Sequence, residues 1–421
     1  MTMLSVAVIG AGAVGAATAL MLAREGHRVT LIEPGEPGGE QAASYGNACW
    51  ISPESVVPMS LPGVWRKVPG WLADPLGPLT IRWRHLPALA PWLIRFLRAG
   101  ASPERVERTA RALRALLHDA VERHEALAAA ASVPELVVRR GHLYVWRDRD
   151  AFEAEGFAWA LRRDAGVRWL ELSAEELHQR EPALSRDFGF AVLVEDGAHV
   201  TDPGAYVAAL ASAAIARGAI HRRTRATGFD IRGGRLQAVL TAEGRIAADR
   251  AVIAAGAHAR PLAAAVGDRV PLESERGYHI VIEAPEASVR TPIMVGEAKA
   301  PLTPTAHGLR VAGQVELASL EAEPDWRRAD VLLSLARRVL PDLPAEIDPG
   351  RVRHWMGHRP SIADGLPVIG PASGCADVVH AFGHGHVGLA ASAKTAALVA
   401  DLVLGRPPVI DPAPYAAARF R

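Results

Sequence analysis

The first 33 residues constrain the fold more than any other part of the chain. A β-branched run at residues 6–9 is typical of a buried parallel strand, and Gly10, Gly12 and Gly15 follow it with the spacing G-x-G-x-x-G. In a strand–turn–helix unit the first glycine permits the tight turn, the second admits a pyrophosphate and the third lets helix and sheet pack. Glu33 ends the next predicted strand, where a carboxylate accepts hydrogen bonds from ribose hydroxyls.

This unit predicts a dinucleotide site but does not choose between NAD and FAD. Small residues also occur where a helix merely packs on a strand, and the complete strand–turn–helix–strand context makes ligand binding the preferred interpretation. The helix N-terminus adds unpaired N–H groups and a positive dipole end for phosphates. The residues expected at the dinucleotide are Gly10, Ala11, Gly12, Ala13, Val14, Gly15 and Glu33.

Length and composition limit the class of protein. A chain of 421 residues exceeds one ordinary core, which predicts two domains. Lys and Arg total 47 against 46 Asp and Glu, and this balance argues against a nucleic-acid partner. With only Cys49 and Cys375, a disulfide framework or a cysteine metal cluster is not credible. We find no basic leader and no transmembrane run, so we expect a cytoplasmic protein and leave a peripheral contact with the inner face of the cell membrane open.

Two further segments of small residues are candidates for close approach of the backbone to the ligand. Residues 41–48 include Ser44, a candidate helix cap and phosphate contact, although a solvated turn explains such residues about as well. The predicted strand at residues 245–254 runs into the sequence Ala-Ala-Gly-Ala, and Gly256 in that corner is expected beside the dinucleotide.

Residues 58–100 are rich in Trp and Pro and contain one amphipathic segment. Trp92, Leu93, Phe96 and Leu97 fall on one helical face, with arginines elsewhere around the helix. Such a face suits a membrane surface or a partner helix. Packing against the body of a domain is its commoner use, and we expect packing here.

Strand patterns without helical connectors fill residues 269–315, which predicts an antiparallel sheet and a separate domain.

Three segments elsewhere carry a family resemblance. They are Ser44-Tyr45-Gly46-Asn47-Ala48 through Ile51-Ser52-Pro53, then Pro75-Leu76-Gly77-Pro78-Leu79, and last Arg359-Pro360 with DGLPVIG at residues 364–370 and GHGHVG at residues 383–388. In this order, over essentially the whole length, the chain resembles the FAD-dependent amine and D-amino acid oxidoreductases, and within them most of all the bacterial D-amino acid dehydrogenases.

The resemblance implies FAD rather than NAD. It also implies an α/β fold in which a Rossmann-like FAD-binding domain of the glutathione-reductase type is interleaved with an α+β substrate domain built on the antiparallel sheet. We place the FAD-binding domain at residues 1–65, 175–265 and 353–421. The substrate or cap domain then takes residues 66–174 and 266–352.

Further cofactor contacts follow from the resemblance. Asn47 and Ala48 resemble the loop that passes the isoalloxazine, and Ala226 stands where the family makes a backbone contact to adenine. A late corner resembles the loop whose N–H groups face the flavin pyrimidine edge, where reduction leaves negative charge that a helix N-terminus stabilises. Its residues are Gly383, His384, Gly385, His386, Val387, Gly388 and Leu389.

Oxidation of an amino acid requires a group that holds the α-carboxylate, and a planar guanidinium does this in two hydrogen bonds. Arg359 matches the carboxylate-binding arginine of the family. Tyr278 and His279 lie on a predicted strand of the substrate domain and are candidates to cover or hydrogen-bond the substrate, although ordinary strand residues explain them equally well. Arg310 is a weaker candidate.

His384 and His386 invite an assignment as general bases, but hydride transfer from a neutral amine needs alignment more than a strong base. We therefore expect them at the flavin edge or in the substrate pocket. They lie in a glycine corner without a third ligand, so we expect no metal site. Cys375 lies beyond the point where relatives attach flavin covalently, which favours non-covalent FAD. Cys49 stands where the dehydrogenases usually have glycine.

The predicted reaction is oxidation of a D-amino acid to an imino acid by hydride transfer from Cα to flavin N5. The expected acceptor is a quinone or other carrier, and a ring-lined pocket would also suit D-proline or 4-hydroxy-D-proline. Two alternatives remain at this stage: a sarcosine- or glycine-type amine oxidase, and a flavin-carrying subunit of a larger electron-transfer complex. The sequence leaves the oligomeric state open.

Overall fold

The computed structural model describes residues 3–66 and 79–421. Trp71 and all of the segment at residues 75–79 except Leu79 lie outside the described residues. The part of the Trp-rich segment at residues 67–78 lies outside them as well.

Strands and helices are numbered separately in chain order. The strands are β1 (Ser5–Ile9), β2 (Arg28–Ile32), β3 (Trp50–Ile51), β4 (Leu79–Ile81), β5 (Val137–Arg139), β6 (His142–Trp146), β7 (Leu170–Ser173), β8 (Phe190–Val194), β9 (Ala198–Val200), β10 (Ile220–Arg222), β11 (Ala226–Arg232), β12 (Arg235–Thr241), β13 (Gly244–Ala247), β14 (Arg250–Ile253), β15 (Leu272–Ile282), β16 (Ile293–Val295), β17 (Ala300–Thr305), β18 (Gly308–Leu317), β19 (Val352–Ile362), β20 (Val368–Pro371) and β21 (Val378–Phe382). The α-helices are α1 (Ala13–Arg24), α2 (Leu86–Ala99), α3 (Pro103–Leu117), α4 (Ala120–Ala130), α5 (Arg149–Glu153), α6 (Gly156–Asp164), α7 (Ala174–Arg180), α8 (Pro203–Ile215), α9 (Ala259–Ala265), α10 (Arg327–Val339) and α11 (Gly388–Leu404).

A six-stranded sheet forms the dinucleotide-binding half, in the order β10-β2-β1-β14-β21-β20. Its pairs are parallel except the pair of β20 with β21. Strand β1 is buried on both faces because helices cover one side and a second apolar layer covers the other. The predicted unit of β1, α1 and β2 is therefore present, and its turn lies at the carboxyl edge of the sheet, where ligands of such folds bind.

A nine-stranded sheet forms the other half, in the order β19-β15-β18-β17-β16-β6-β8-β7, with β4 added alongside β18. Most of its pairs are antiparallel, as the uninterrupted strand patterns predicted, while β6 with β16 and β4 with β18 are parallel. Helix α10 packs on one face with an apolar core. The other face of β15 and β19 turns toward the glycine corners of the first sheet.

The sheets assign some segments differently from the predicted domain boundaries. Strand β8 was placed in the FAD-binding domain but pairs with β6 and β7 in the nine-stranded sheet. Strand β19 was placed there too, yet it pairs with β15 along its whole length. Helices α3 and α4, assigned to the cap domain, join the core around α1. These memberships depend on partners that are distant in sequence, which a local pattern does not contain.

Helix α11 lies in the core of the dinucleotide-binding half. In residues 3–66 and 79–421 one helical segment, Gly385–Leu404, is long enough to cross a membrane and has a mean hydropathy of 1.6. Its most apolar stretch is 67% buried inside the protein. It packs against α1 and the sheet, so its apolar side chains belong to the core.

Candidate functional site

The turn between β1 and α1 contains three glycines, of which packing requires two and does not account for the third. A Cβ on Gly10 would lie 2.4 Å from the carbonyl oxygen of Ala254, and one on Gly15 would lie 1.9 Å from that of Gly10. Packing therefore requires both glycines. A Cβ on Gly12 would approach only the Ser44 hydroxyl, at 3.3 Å. Packing alone does not account for this glycine, and the space beside it fits a phosphate group.

Two polar side chains complete this end of the site. The Ser44 hydroxyl accepts a hydrogen bond from the N–H of Ala13 (3.2 Å), while α1 has no side-chain cap at Gly12. The Glu33 carboxylate accepts from the N–H of Ala11 (3.1 Å) and of Gly35 (3.2 Å). The carboxylate thus lies at the mouth of the glycine turn, as a ribose-binding acid must.

The predicted adenine and corner positions lie around the same edge of the sheet. Ala226 begins β11, just after β10, whose Arg222 carbonyl accepts from the N–H of Glu33 (3.1 Å). Gly256 has φ +53°, and a Cβ there would meet nothing within 4 Å. The open space beside Gly256 resembles that beside Gly12.

The late glycine corner leads directly into α11. Gly383 has φ +86° and packs so closely that a Cβ would lie 2.5 Å from Cγ1 of Ile362. At Gly385, with φ +51°, the nearest atom to a Cβ is the Ser361 Oγ at 4.0 Å. Helix α11 starts at Gly388, and Val387 before it provides no side-chain cap. Leu389 is the next residue of this uncapped start, whose N–H groups suit a developing negative charge.

The two histidines of this corner have separate roles. His384 is buried, its Nε2 lies 3.0 Å from the Thr395 hydroxyl, and burial lowers the pKa of His384 to about 4. His386 is partly exposed, and its Nε2 lies 2.7 Å from Oε2 of Glu275. His384 is therefore a neutral structural residue, while His386 remains at the site.

Glu275 is a buried carboxylate that sequence reasoning missed. Its Oε1 accepts from the Ser361 hydroxyl (2.9 Å) and its Oε2 faces His386. Burial alone would raise the pKa of Glu275, but the bond to His386 and the nearby charge of Arg359 hold it below its ordinary value. A single acid among strand residues gives little signal in a sequence.

Arg359 lies on the same face as Glu275 and crosses Gly277. A Cβ on Gly277 would lie 2.2 Å from the guanidinium carbon, so only glycine leaves room for this side chain. The guanidinium donates to the carbonyls of Gln314 (3.0 Å) and Gly313 (3.4 Å). These carbonyls belong to a β-bulge in β18, where the pairing shifts opposite Gly277 and Gln314 takes φ +60°.

No ion pair to Arg359 occurs among the residues that the structure describes. Burial lowers the pKa of Arg359, and the charge of Glu275 opposes that effect. An arginine stays protonated in proteins, so the site holds a partly buried cation whose remaining N–H groups can receive an anion. A carboxylate matches this fork geometrically.

An aromatic wall lies beside Arg359. Trp355 stacks on His279 with ring centroids 5.0 Å apart, and Tyr45 lies 6.2 Å from the Trp355 ring. A Cβ on Gly46 would lie 1.9 Å from this indole and one on Gly357 would lie 2.0 Å from it. Sequence reasoning assigned no role to Trp355, although the two glycines that make room for it were a usable signal.

His279 is neutral in this wall. Its Nδ1 lies 3.3 Å from the Gly46 carbonyl oxygen. Burial and the positive charges of Arg310 and Arg359 hold the pKa of His279 well below its ordinary value. The side chain can therefore shape the pocket and exchange hydrogen bonds, but it does not supply a charge.

Tyr278 does not join the site, contrary to the sequence prediction. Successive strand residues point to opposite faces, and Tyr278 is buried in the core beneath α10. Its hydroxyl donates to Glu316 (2.6 Å) and accepts from the N–H of Asp325 (3.0 Å). Burial and the bond to Glu316 raise the pKa of Tyr278 to about 12.

Arg310 organises the loop that carries Asn47 and Ala48. One of its nitrogens donates to the carbonyls of Tyr45 (3.0 Å) and Asn47 (2.7 Å), and Thr303 donates to the Ala48 carbonyl (2.9 Å). Cys49 follows with φ +74°, a conformation that favours glycine. This explains why glycine is usual at that position in the family that the sequence resembles. Arg310 thus holds this loop in position through hydrogen bonds to its backbone carbonyls.

Together these residues fit FAD as the resident cofactor. A Cβ on Gly12 or Gly385 would enter largely open space, and two helix N-termini whose N-cap residues provide no side-chain hydrogen bond, those of α1 and α11, meet the same edge of the sheet. Glu33 can accept hydrogen bonds from the ribose hydroxyls. The loop that carries Asn47 lies next to the aromatic wall.

Known proteins resemble this chain over nearly its whole length. A family model described as FAD dependent oxidoreductase matches residues 5–402. A D-amino-acid oxidase of Bradyrhizobium diazoefficiens is 54% identical over 415 residues, covering 99% of this chain and 98% of that protein. D-amino acid dehydrogenase 2 of Ralstonia nicotianae is 35% identical over 430 residues, covering 99% of this chain and 100% of that protein. The solved glycine oxidase of Geobacillus kaustophilus is 24% identical, covers 99% of both chains and has a TM-score of 0.74, a likeness of fold.

Proposed function

Because the chain belongs to the family of FAD-dependent oxidoreductases, we propose that it oxidises a D-amino acid to the imino acid, which water then hydrolyses to a keto acid and ammonia. The flavin, when bound, supplies the acceptor for the hydride that leaves Cα. The names of the relatives in Bradyrhizobium and Ralstonia support a D-amino acid substrate.

One observation carries this proposal: the partly buried guanidinium of Arg359 with no carboxylate partner in the described residues. Two of its N–H groups are occupied by backbone carbonyls, which fixes the plane of the fork before substrate arrives. The rest of the fork is available to the α-carboxylate. Such preorganisation stabilises the bound geometry because little side-chain entropy is lost on binding.

The other residues orient the substrate and exclude water. Trp355 and His279 form an apolar, neutral wall on one side of Arg359. Glu275 and His386 stand on the other side, where a carboxylate and an imidazole share a hydrogen bond. The Cα–H is thus confined between a carboxylate anchor and the glycine corner at Gly385.

A cyclic substrate such as D-proline or 4-hydroxy-D-proline is the finer form of this proposal. The Trp355 ring, stacked on the buried His279 and 6.2 Å from the Tyr45 ring, offers a flat surface to a saturated ring. The ring nitrogen of such a substrate, when neutral, would need only one hydrogen-bond acceptor near this wall.

For the electron acceptor we propose a quinone or another carrier, reached from the cytoplasmic side of the membrane by peripheral contact. The dehydrogenase relative in Ralstonia supports a carrier, and the oxidase relative in Bradyrhizobium makes oxygen the alternative to test. Reduced enzyme mixed separately with oxygen and with a soluble quinone analogue distinguishes them. Faster reoxidation by oxygen would contradict the carrier.

The experiment is anaerobic bleaching of the flavin absorbance by D-amino acids, their L-enantiomers, sarcosine and hydroxyprolines. Bleaching by a D-amino or D-imino acid is the expected result. Bleaching by sarcosine or glycine alone would instead indicate an amine oxidase, and no bleaching by any of these compounds would favour a flavin-carrying subunit with catalysis elsewhere.

A further inference from the structure

Helix α2 presents an apolar outer surface to solvent. Trp83, just before the helix, is 71% exposed and Ile94 is 51% exposed, with Leu97 and the neighbouring Met59 also exposed. Met59 belongs to this patch because the next residue, Ser60, donates to the Phe96 carbonyl (2.6 Å). We call these four side chains the α2 surface.

The opposite face of α2 is already satisfied by the body of the protein. Leu89 and Trp92 are buried in a core with Ile81 and Leu317. The Trp92 indole donates to the Ser361 carbonyl (3.3 Å). The helix is therefore packed through Leu89 and Trp92, whereas Leu97, which the sequence pattern placed on the packed face, is exposed.

The charged side chains of α2 and its flanking residues have one sign. Residues 79–102 contain four arginines and no acidic residue, whereas the whole chain has a formal charge of only +1. Arg82 pairs with Glu316. Arg84, Arg95 and Arg98 make no ion pair with any residue that the structure describes. Exposed tryptophan and aliphatic side chains with unpaired arginines are the composition that binds an anionic lipid surface.

We propose that the α2 surface docks on an anionic lipid bilayer. Trp83, Ile94 and Leu97 enter the headgroup region, and the three arginines meet lipid phosphates. A protein partner would more often present acidic side chains to these arginines together with a fitted apolar pocket.

Docking by this surface places the site at the membrane. Trp92 is anchored to Ser361, and Ser361 lies in β19 two residues after Arg359. An acceptor dissolved in the lipid, such as a quinone, would then reach the site without crossing water. This consequence rests on the proposed function, but lipid binding itself does not.

The experiment is sedimentation of the full-length, FAD-loaded protein with vesicles of phosphatidylglycerol and phosphatidylcholine, and with vesicles of phosphatidylcholine alone. The Ile94→Glu/Leu97→Glu variant should bind the anionic vesicles at least about tenfold more weakly than the wild type, because each substitution removes apolar burial and adds repulsion. Ile220→Glu is the matched control, since Ile220 is also 51% exposed but lies on β10.

The outcomes separate this inference from the proposed function. Equal binding to both vesicle types, no binding to either, or equal loss in Ile220→Glu would overturn the lipid surface. A lipid-free dimer that Ile94→Glu/Leu97→Glu converts to monomer, without vesicle binding, would assign the surface to a second copy and also overturn it. If the protein binds vesicles but no D-amino acid bleaches its flavin, this inference stands and the proposed substrate is rejected. The flavin spectrum of each variant verifies folding.

Discussion

Arg359 stands directly opposite Glu275 in the antiparallel pair of β15 and β19, yet the two side chains serve different partners. The guanidinium crosses Gly277 to the carbonyls of Gly313 and Gln314. The carboxylate is bound instead by His386 and Ser361. The cation is therefore held in place without being neutralised, which is the condition for receiving a substrate anion.

Replacing Arg359 by alanine should raise the substrate concentration for half-maximal flavin reduction by about a hundredfold or more, because a buried charge-assisted contact is lost. FAD should remain bound, as the flavin spectrum reports. Arg353→Ala is the matched control: Arg353 is an exposed arginine of the same strand, paired with Glu283. Loss of FAD in Arg359→Ala would instead assign the arginine to the cofactor site or the fold.

Gly12→Ala and Gly15→Ala should differ in kind. Gly12 has φ −71° and ψ −174°, which alanine adopts freely, so the apoprotein should keep its free energy of unfolding within about 0.5 kcal/mol. FAD affinity should fall by at least roughly tenfold, because the methyl group enters the space for phosphate. In Gly15→Ala the Cβ would overlap a carbonyl at 1.9 Å, and soluble protein should be lost. Denaturation of the apoprotein and FAD titration measure the two effects.

Gly46→Ala should displace Trp355, since the added Cβ would lie 1.9 Å from its ring. We expect a loss of about 1–3 kcal/mol in unfolding free energy and a higher KM for ring-containing substrates. Gly156→Ala serves as the control, because a Cβ at this position in α6 meets nothing within 4 Å. Equal kinetics in Gly46→Ala and wild type would remove Trp355 from the substrate pocket.

His384 makes a specific contribution to the pH dependence of stability. Its pKa falls from 6.5 to about 4 on folding, because burial disfavours the imidazolium. Between these values the unfolded chain binds more protons, so the contribution of His384 is complete above pH 6.5 and is lost as the pH falls toward 4, by about 3 kcal/mol. His384→Gln should show a correspondingly smaller loss. Parallel stability curves for the two proteins between those pH values would contradict this assignment.

Local patterns predicted the glycine turn and Glu33, and the family resemblance indicated the late corner, because each depends on residues adjacent in the chain. The face of a strand residue depends on the register of its partners. His279 therefore reached the site while Tyr278, one residue away, was buried behind the sheet. Glu275 gains its role only from His386, which is far away in sequence. The membership of β8 and β19 escaped prediction for the same reason.

The bulge in β18 has a consequence for the evolution of substrate range. Arg359 is oriented by the main-chain carbonyls of Gly313 and Gln314, which an exchange of the Gln314 side chain would not remove, whereas the wall of Trp355, His279 and Tyr45 consists of side chains. Descendants of this chain can therefore vary the group carried on Cα by ordinary point mutations and keep the demand for an α-carboxylate unchanged. Selection for a new amino acid should accumulate in the wall and leave the anchor untouched.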